Sequence, residues 1–136
     1  MLKRLNHVAI AVPDSEQAAA HYGLVFGMTP SSVQILPEHG VKVVFVETEN
    51  MKIEFISPLD DTSPIANFLE KNPKGGIHHL CFEVDDVTKS LAHLQSININ
   101  PVGFKEPRIG AHGNPVIFLS PKDFYGTLLE LEEIPS

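Results

Sequence analysis

Leu5-Asn6-His7-Val8-Ala9-Ile10-Ala11-Val12-Pro13-Asp14 opens the chain, and Ile77-His78-His79-Leu80-Cys81-Phe82-Glu83-Val84-Asp85-Asp86 repeats its pattern 72 residues later. Laid over each other without gaps, both run apolar, polar, His, and then strand-like to a Val-x-Asp ending. Each is bounded by turn-formers and reads as a strand of about 6–8 residues. A helix pattern follows each. Asp14 is a natural N-cap, with Gln17 three residues on and Ala19, Tyr22 and Phe26 at helical spacing. Asp86 precedes Val87, Leu91 and Leu94 with the same period. Gly27 ends the first helix, and the stretch 97–101, closing on Pro101, ends the second.

Three strand-like runs complete the first half, at 33–36, 41–47 and 51–57. The second half offers a weak run at 102–104, then 116–120 and 127–132. Each half therefore reads β-α-β-β-β. Between them Ser63 can cap a short helix with Pro64 in its first position, and Gly75-Gly76 restarts the chain. The expected class is α+β: one domain over 1–136, with module 1 at about 1–58, a linker helix at about 59–76 and module 2 at about 77–136. A module of roughly 60 residues has a marginal core by itself.

Composition narrows the function. A chain of 136 residues, 43% hydrophobic and 20% charged, is globular in character. Its net charge of −7 argues against a nucleic-acid partner, which needs clustered cations. No apolar run approaches the roughly 20 residues of a membrane span, and the start lacks a secretory pattern, so a cytoplasmic protein is expected. Cys81 is the only cysteine, which excludes an internal disulfide and a Cys-rich zinc motif. Any metal must then be held by His and carboxylate or amide side chains.

Strand parity points to such a set. On the first strand His7, Ala9 and Ala11 share one face, with Val8, Ile10 and Val12 on the other. In the second module His79 and Cys81 align with His7 and Ala9, and His78 faces the opposite way. The small neighbours of both histidines leave room on their face. Late in each module an acid sits between apolar residues: Glu54 between Ile53 and Phe55, and Glu130 between Leu129 and Leu131. They follow His7 and His79 by 47 and 51 residues. Taken singly, each of the four is more often a solvated strand residue, since half-exposed sheets alternate polar and apolar without functional cause. Their repetition suggests that a pseudo-two-fold brings His7, Glu54, His79 and Glu130 to one point. Two imidazoles and two carboxylates suit a divalent Co, Ni, Mn, Fe or Zn.

Five segments go further: LNHVAIAVP at 5–13, SPIANFLEKN at 63–72, GGIHHLCFEVDD at 75–86, IGAHG at 109–113 and GTLLELE at 126–132. Across its whole length the chain resembles the methylmalonyl-CoA epimerases of the vicinal oxygen chelate superfamily. The resemblance implies two fused βαβββ modules forming a curved, half-open β-barrel around a metal. By the same resemblance His7, His79 and Glu130 match the family's ligands, Glu54 fills a position where relatives carry Gln or Glu, and cobalt is the first choice of ion. The implied reaction interconverts (2R)- and (2S)-methylmalonyl-CoA through an enolate, with Glu130 as one base. A homodimer and an acyl-CoA thioester partner are implied as well.

Part of the family pattern is missing. Some relatives place a second acid on the third strand, where this chain has Val43, so Glu54 becomes the substitute base. Ser120 replaces a frequent His before Pro121-Lys122, and Tyr125 stands where small residues are usual. His112 could touch substrate or be structural, and Lys105, Arg108 and Lys122 could meet coenzyme A phosphates or be ordinary surface cations. Cys81 reads as a small packed hydrophobe, and His21 and His93 as helix-surface residues. Two alternatives stay open: glyoxalase I, which shares the fold and a similar metal set, and a non-catalytic ligand-binding relative.

Overall fold

Asp14 adopts an extended conformation and its carboxylate accepts from the Gln17 N–H at 3.0 Å, satisfying a donor that the first helical turn leaves over. The helix α1 (Ser15–Phe26) runs until Gly27, whose φ of 69° ends it in the left-handed conformation. Asp86 caps α3 (Val87–Ser96) in the same way, accepting from the Lys89 N–H at 2.9 Å. The short helix α2 (Pro64–Lys71) begins where Ser63 and Pro64 predict, with the Ser63 hydroxyl accepting from the Ile65 N–H.

The computed structural model describes residues Met1–Ser136, and the chain divides into two compact units, His7–His78 and a second made of Met1–Asn6 with His79–Ser136. The first unit carries most of β1 (Leu5–Ala11), with β2 (Gln34–Leu36), β3 (Val41–Glu47) and β4 (Lys52–Pro58). Their order is β2-β3-β4-β1, with β1 parallel to β4 and the other pairs antiparallel. The second unit carries most of β5 (Gly76–Val84), then β6 (Arg108–Ile109), β7 (Pro115–Leu119) and β8 (Leu129–Glu133). It repeats the arrangement as β5-β8-β7-β6, again with one parallel pair, β5 with β8.

Each unit packs its helix on its sheet. In the first, Ala19 lies against Val12, Val44, Val46 and Phe55, with Tyr22 edge-on to the Phe55 ring at 4.7 Å. In the second, Val87, Leu91 and Leu94 meet Ile117, Leu119 and Leu131. Phe26, expected to continue the Ala19–Tyr22 stripe, is 67% exposed because it lies in the last turn, where Leu24 and Val25 are exposed too. The weak strand at 102–104 does not form: Gly103 turns into positive φ, and the Phe104 N–H bonds back to the Val102 carbonyl. The strand that pairs there is the two-residue β6 instead.

The first six residues belong with the second module. Lys3 N–H donates to the Glu83 carbonyl at 2.8 Å, and Glu83 N–H returns a bond to the Arg4 carbonyl at 3.0 Å. Buried Glu83 also accepts from Arg4 Nε at 2.8 Å and Asn6 Nδ2 at 2.9 Å. Burial pushes its carboxyl up, yet these two bonds and the Arg4 charge together hold it below the ordinary 4.5.

Candidate active site

In each unit the register between the His strand and the last strand decides which side chains meet. Ala9 pairs with Glu54 in the first unit and Cys81 with Glu130 in the second. Both partners stand two residues beyond the histidine, so each His shares a sheet face with its unit's acid. The 47- and 51-residue spacings thus reach one register, and the extra residues of the second module lie in connections. Glu54 and Glu130 are structural counterparts.

His7 Nε2 lies 3.7 Å from Glu54 Oε1, and His79 Nε2 lies 3.0 Å from Glu130 Oε1. All four residues are buried. Each imidazole is also braced by a phenylalanine one strand beyond its acid: Phe45 sits edge-on to His7 at 5.9 Å and Phe118 edge-on to His79 at 5.3 Å. These rings pack edge-on against the imidazoles on the side of the neighbouring strand.

The donor chemistry fits a divalent ion. Bonds of about 2.1 Å at right angles put a nitrogen and an oxygen ligand about 3.0 Å apart, the separation found for His79 and Glu130. The His7–Glu54 pair is a few tenths of an ångström wider than tetrahedral ligation requires. His78, one residue off in register, instead meets the Phe68 ring edge-on at 5.2 Å.

The second unit holds a buried acid that the residue pattern alone does not single out. Glu132 follows Glu130 on the same face of β8 and is 2% exposed. It lies 3.0 Å from His112 Nδ1 and accepts from Asn114 Nδ2 at 2.9 Å, while the Cys81 thiol points at it from 3.7 Å. Burial raises the Glu132 carboxyl, but the bonds from His112 and Asn114 outweigh this and leave it below 4.5. The signal was in the sequence: an acid two positions after Glu130 must share its face. In the first unit the matching residue, opposite Ala11, is Ile56.

The remaining residues singled out from the sequence lie as follows. Val43 is 1% exposed and pairs with Ile56, a core residue with no proton to move. Lys105, Arg108 and Lys122 are exposed, with the Arg108 guanidinium 4.6 Å over the Phe104 ring. His21 and His93 lie on exposed helix positions, and Cys81 is fully buried. No helix is long and apolar enough to cross a membrane.

Comparison with known proteins bears on this geometry. Residues 6–118 match the model of the glyoxalase/bleomycin resistance protein/dioxygenase superfamily. The ethylmalonyl-CoA/methylmalonyl-CoA epimerase of Cereibacter sphaeroides is 54% identical over 134 residues, 98% of this chain and 100% of its own. The crystal structure of methylmalonyl-CoA epimerase from Mycobacterium tuberculosis superposes with a TM-score of 0.90 at 31% identity, covering 99% of this chain and 89% of that one. A methylmalonyl-CoA epimerase solved in complex with methylmalonyl-CoA and NH4+ gives 0.88 at 27% identity, covering 98% and 95%. The paired βαβββ modules are therefore those of a known fold, and the chain belongs to the methylmalonyl-CoA epimerase family within the glyoxalase/bleomycin resistance protein/dioxygenase superfamily.

Proposed function

We propose that this chain interconverts the (2R) and (2S) epimers of methylmalonyl-CoA. The observation that carries the proposal is the identity to the Cereibacter epimerase over nearly the whole length. The buried His–Glu pair in the same register of each module supports it. The name of that relative includes the ethyl homologue, so a 2-ethylmalonyl thioester is a natural second substrate.

In this reading His7, Glu54, His79 and Glu130 hold one divalent ion, with cobalt the expected choice. Such an ion would supply Lewis-acid stabilisation to charge developing on the thioester oxygen. The chain's residues do the rest. Phe45 and Phe118 pack against the imidazoles, and Glu54 and Glu130 lie beside them. Glu130 takes or returns the α-proton on one face. Inversion needs a second proton carrier, which is either Glu54 or a group of the second module. A homodimer in the cytoplasm completes the proposal, and sedimentation of the purified protein tests its assembly.

The deciding experiment is incubation of purified, metal-loaded protein with (2R)-methylmalonyl-CoA in deuterated water. Formation of the (2S) epimer with deuterium at the α-carbon is expected. Unchanged substrate with no label uptake would reject the reading. About one equivalent of metal per chain, lost in His7→Ala and in His79→Ala, is expected by elemental analysis; unchanged content in both would remove the four-residue site.

A further inference from the structure

The strand pairings of the second module place one cation on the face that carries its acids. Cys81 pairs with Glu130 across β5 and β8, Glu130 with Phe118 across β8 and β7, and Val116 with Arg108 across β7 and β6. Paired residues share a face, as do residues two apart on one strand. Arg108 therefore stands on the face of His79 and Glu130, on the strand that ends this module's sheet. The opposite face, with Ile117, Leu119 and Leu131, is covered by α3.

A row of aromatic rings joins that edge to the site. Phe118 lies edge-on to the His79 ring at 5.3 Å and to the Phe104 ring at 6.0 Å, and the Arg108 guanidinium lies 4.6 Å from the centroid of the Phe104 ring. The backbone holds Phe104 in place. Pro101 bridges to Leu119, the Val102 N–H donates to the Phe118 carbonyl at 2.9 Å, and Gly103 turns the chain at a φ of 81°. The ring face attracts the guanidinium, which orients its planar fork while Arg108 stays exposed to solvent. It forms no ion pair with a carboxylate of the chain, although acids outnumber Lys and Arg by 17 to 10. Lys105 and Lys122 are exposed as well, with no ring beneath them. An oriented guanidinium of this kind matches a phosphate, whose oxygens it takes two at a time.

We propose that Arg108, shelved on Phe104, binds a phosphate group of the acyl-CoA thioester, whose arm lies along the Phe104–Phe118 row toward Glu130. The inference rests on the epimerase reading above. Distance selects a phosphate over the substrate's own carboxylate. The strand β6 lies two strands from β8, about 10 Å at ordinary strand spacing, whereas the malonyl carboxylate is bonded directly to the α-carbon that Glu130 serves. The phosphates stand at the far end of the pantetheine arm, and the rings between offer that uncharged arm an apolar surface. Arg108 is thus a binding residue that acts on affinity, away from the bonds that change.

The test measures binding of coenzyme A, 3′-dephospho-coenzyme A and pantetheine by calorimetry, in wild type, Arg108→Ala, Arg108→Lys, Phe104→Leu and Lys122→Ala. Turnover of the methylmalonyl thioesters of coenzyme A and of pantetheine is followed in the same proteins, with melting temperatures alongside. Arg108→Ala should bind coenzyme A about 10–100-fold more weakly, the range for losing hydrogen bonds to a charged group. The preference in kcat/KM for the coenzyme A thioester over the pantetheine thioester should shrink by a similar factor, through KM. Arg108→Lys, which keeps the charge without the fork, should recover part of the loss, and Phe104→Leu should show it in milder form. A loss shared by 3′-dephospho-coenzyme A assigns Arg108 to the diphosphate, and one confined to coenzyme A assigns it to the 3′-phosphate. The proposal is overturned if Arg108→Ala binds coenzyme A like wild type, if pantetheine binding falls equally, or if Lys122→Ala loses as much. Wild-type protein that binds coenzyme A through Arg108 yet leaves both epimers unchanged would reject the epimerase reading and leave the phosphate site in place.

Discussion

The two modules share a backbone plan and differ in what they place on one face of it. In the first, the residues following the His–Glu register pair are Ala11 and Ile56, and in the second they are Glu83 and Glu132. The first module's face is completed by packing. That of the second is completed by charge: Glu83 is bound by Arg4 and Asn6, and Glu132 by His112 and Asn114. Buried carboxylates are tolerated only where donors surround them, so the second module commits four side chains, Arg4, Asn6, His112 and Asn114, to keeping two acids in place. This asymmetry teaches that repeated modules can keep one backbone register while buried, hydrogen-bonded acids concentrate in one of them.

The largest effect expected from this difference lies between the two counterpart acids. Glu130→Gln should lower turnover by roughly 10²–10⁴-fold, whereas Glu54→Gln should hold metal and epimerise within about tenfold of wild type, the margin we expect for a ligand changed without loss of a base. Steady-state assays with metal analysis decide this. Equal losses in both variants would make the modules catalytic equals and break the comparison.

Core truncation sharpens it from the side of stability. Phe55 and Leu131 follow Glu54 and Glu130 and are each almost fully buried. Phe55→Ala should cost about 3–5 kcal/mol and Leu131→Ala about 2–5 kcal/mol in denaturant unfolding. The two modules are expected to unfold in one transition. Two separated transitions in either variant would show that the modules fold independently.

Smaller and equal effects are expected at the caps. Asp14→Ala and Asp86→Ala remove the same bond from α1 and α3, and each should cost about 1 kcal/mol. A large difference would mean that one cap contributes beyond its helix.

The smallest effect is confined to acid. Glu83 has a folded pKa below its ordinary 4.5, so it contributes stability above the unfolded value, and that contribution is lost as pH falls through the folded one. Unfolding measured between neutral pH and about pH 3 should lose part of its acid dependence in Glu83→Gln. The first module has Ala11 at this position and no matching group. An unchanged acid slope would show that Glu83 is not held as its contacts suggest.

Local patterns were legible from residue order alone. Asp14, Asp86 and Ser63 announced three helix starts, because a side-chain oxygen before a helical stripe satisfies the donors of the first turn. Strand alternation separated His79 from His78, because a one-residue shift turns a side chain to the other face. The repeat of His and Glu suggested a donor set before any coordinates. Tertiary structure decided what sequence distance conceals. Spacings of 47 and 51 residues cannot reveal a common register, which depends on how the parallel strand returns beside the first. Nothing local ties Arg4 to Glu83, 79 residues away, or marks the first six residues as part of the second module. His112 sits among glycines and looked ordinary. Its meaning comes from the buried Glu132, 20 residues on, which needs donors because burial has removed its water.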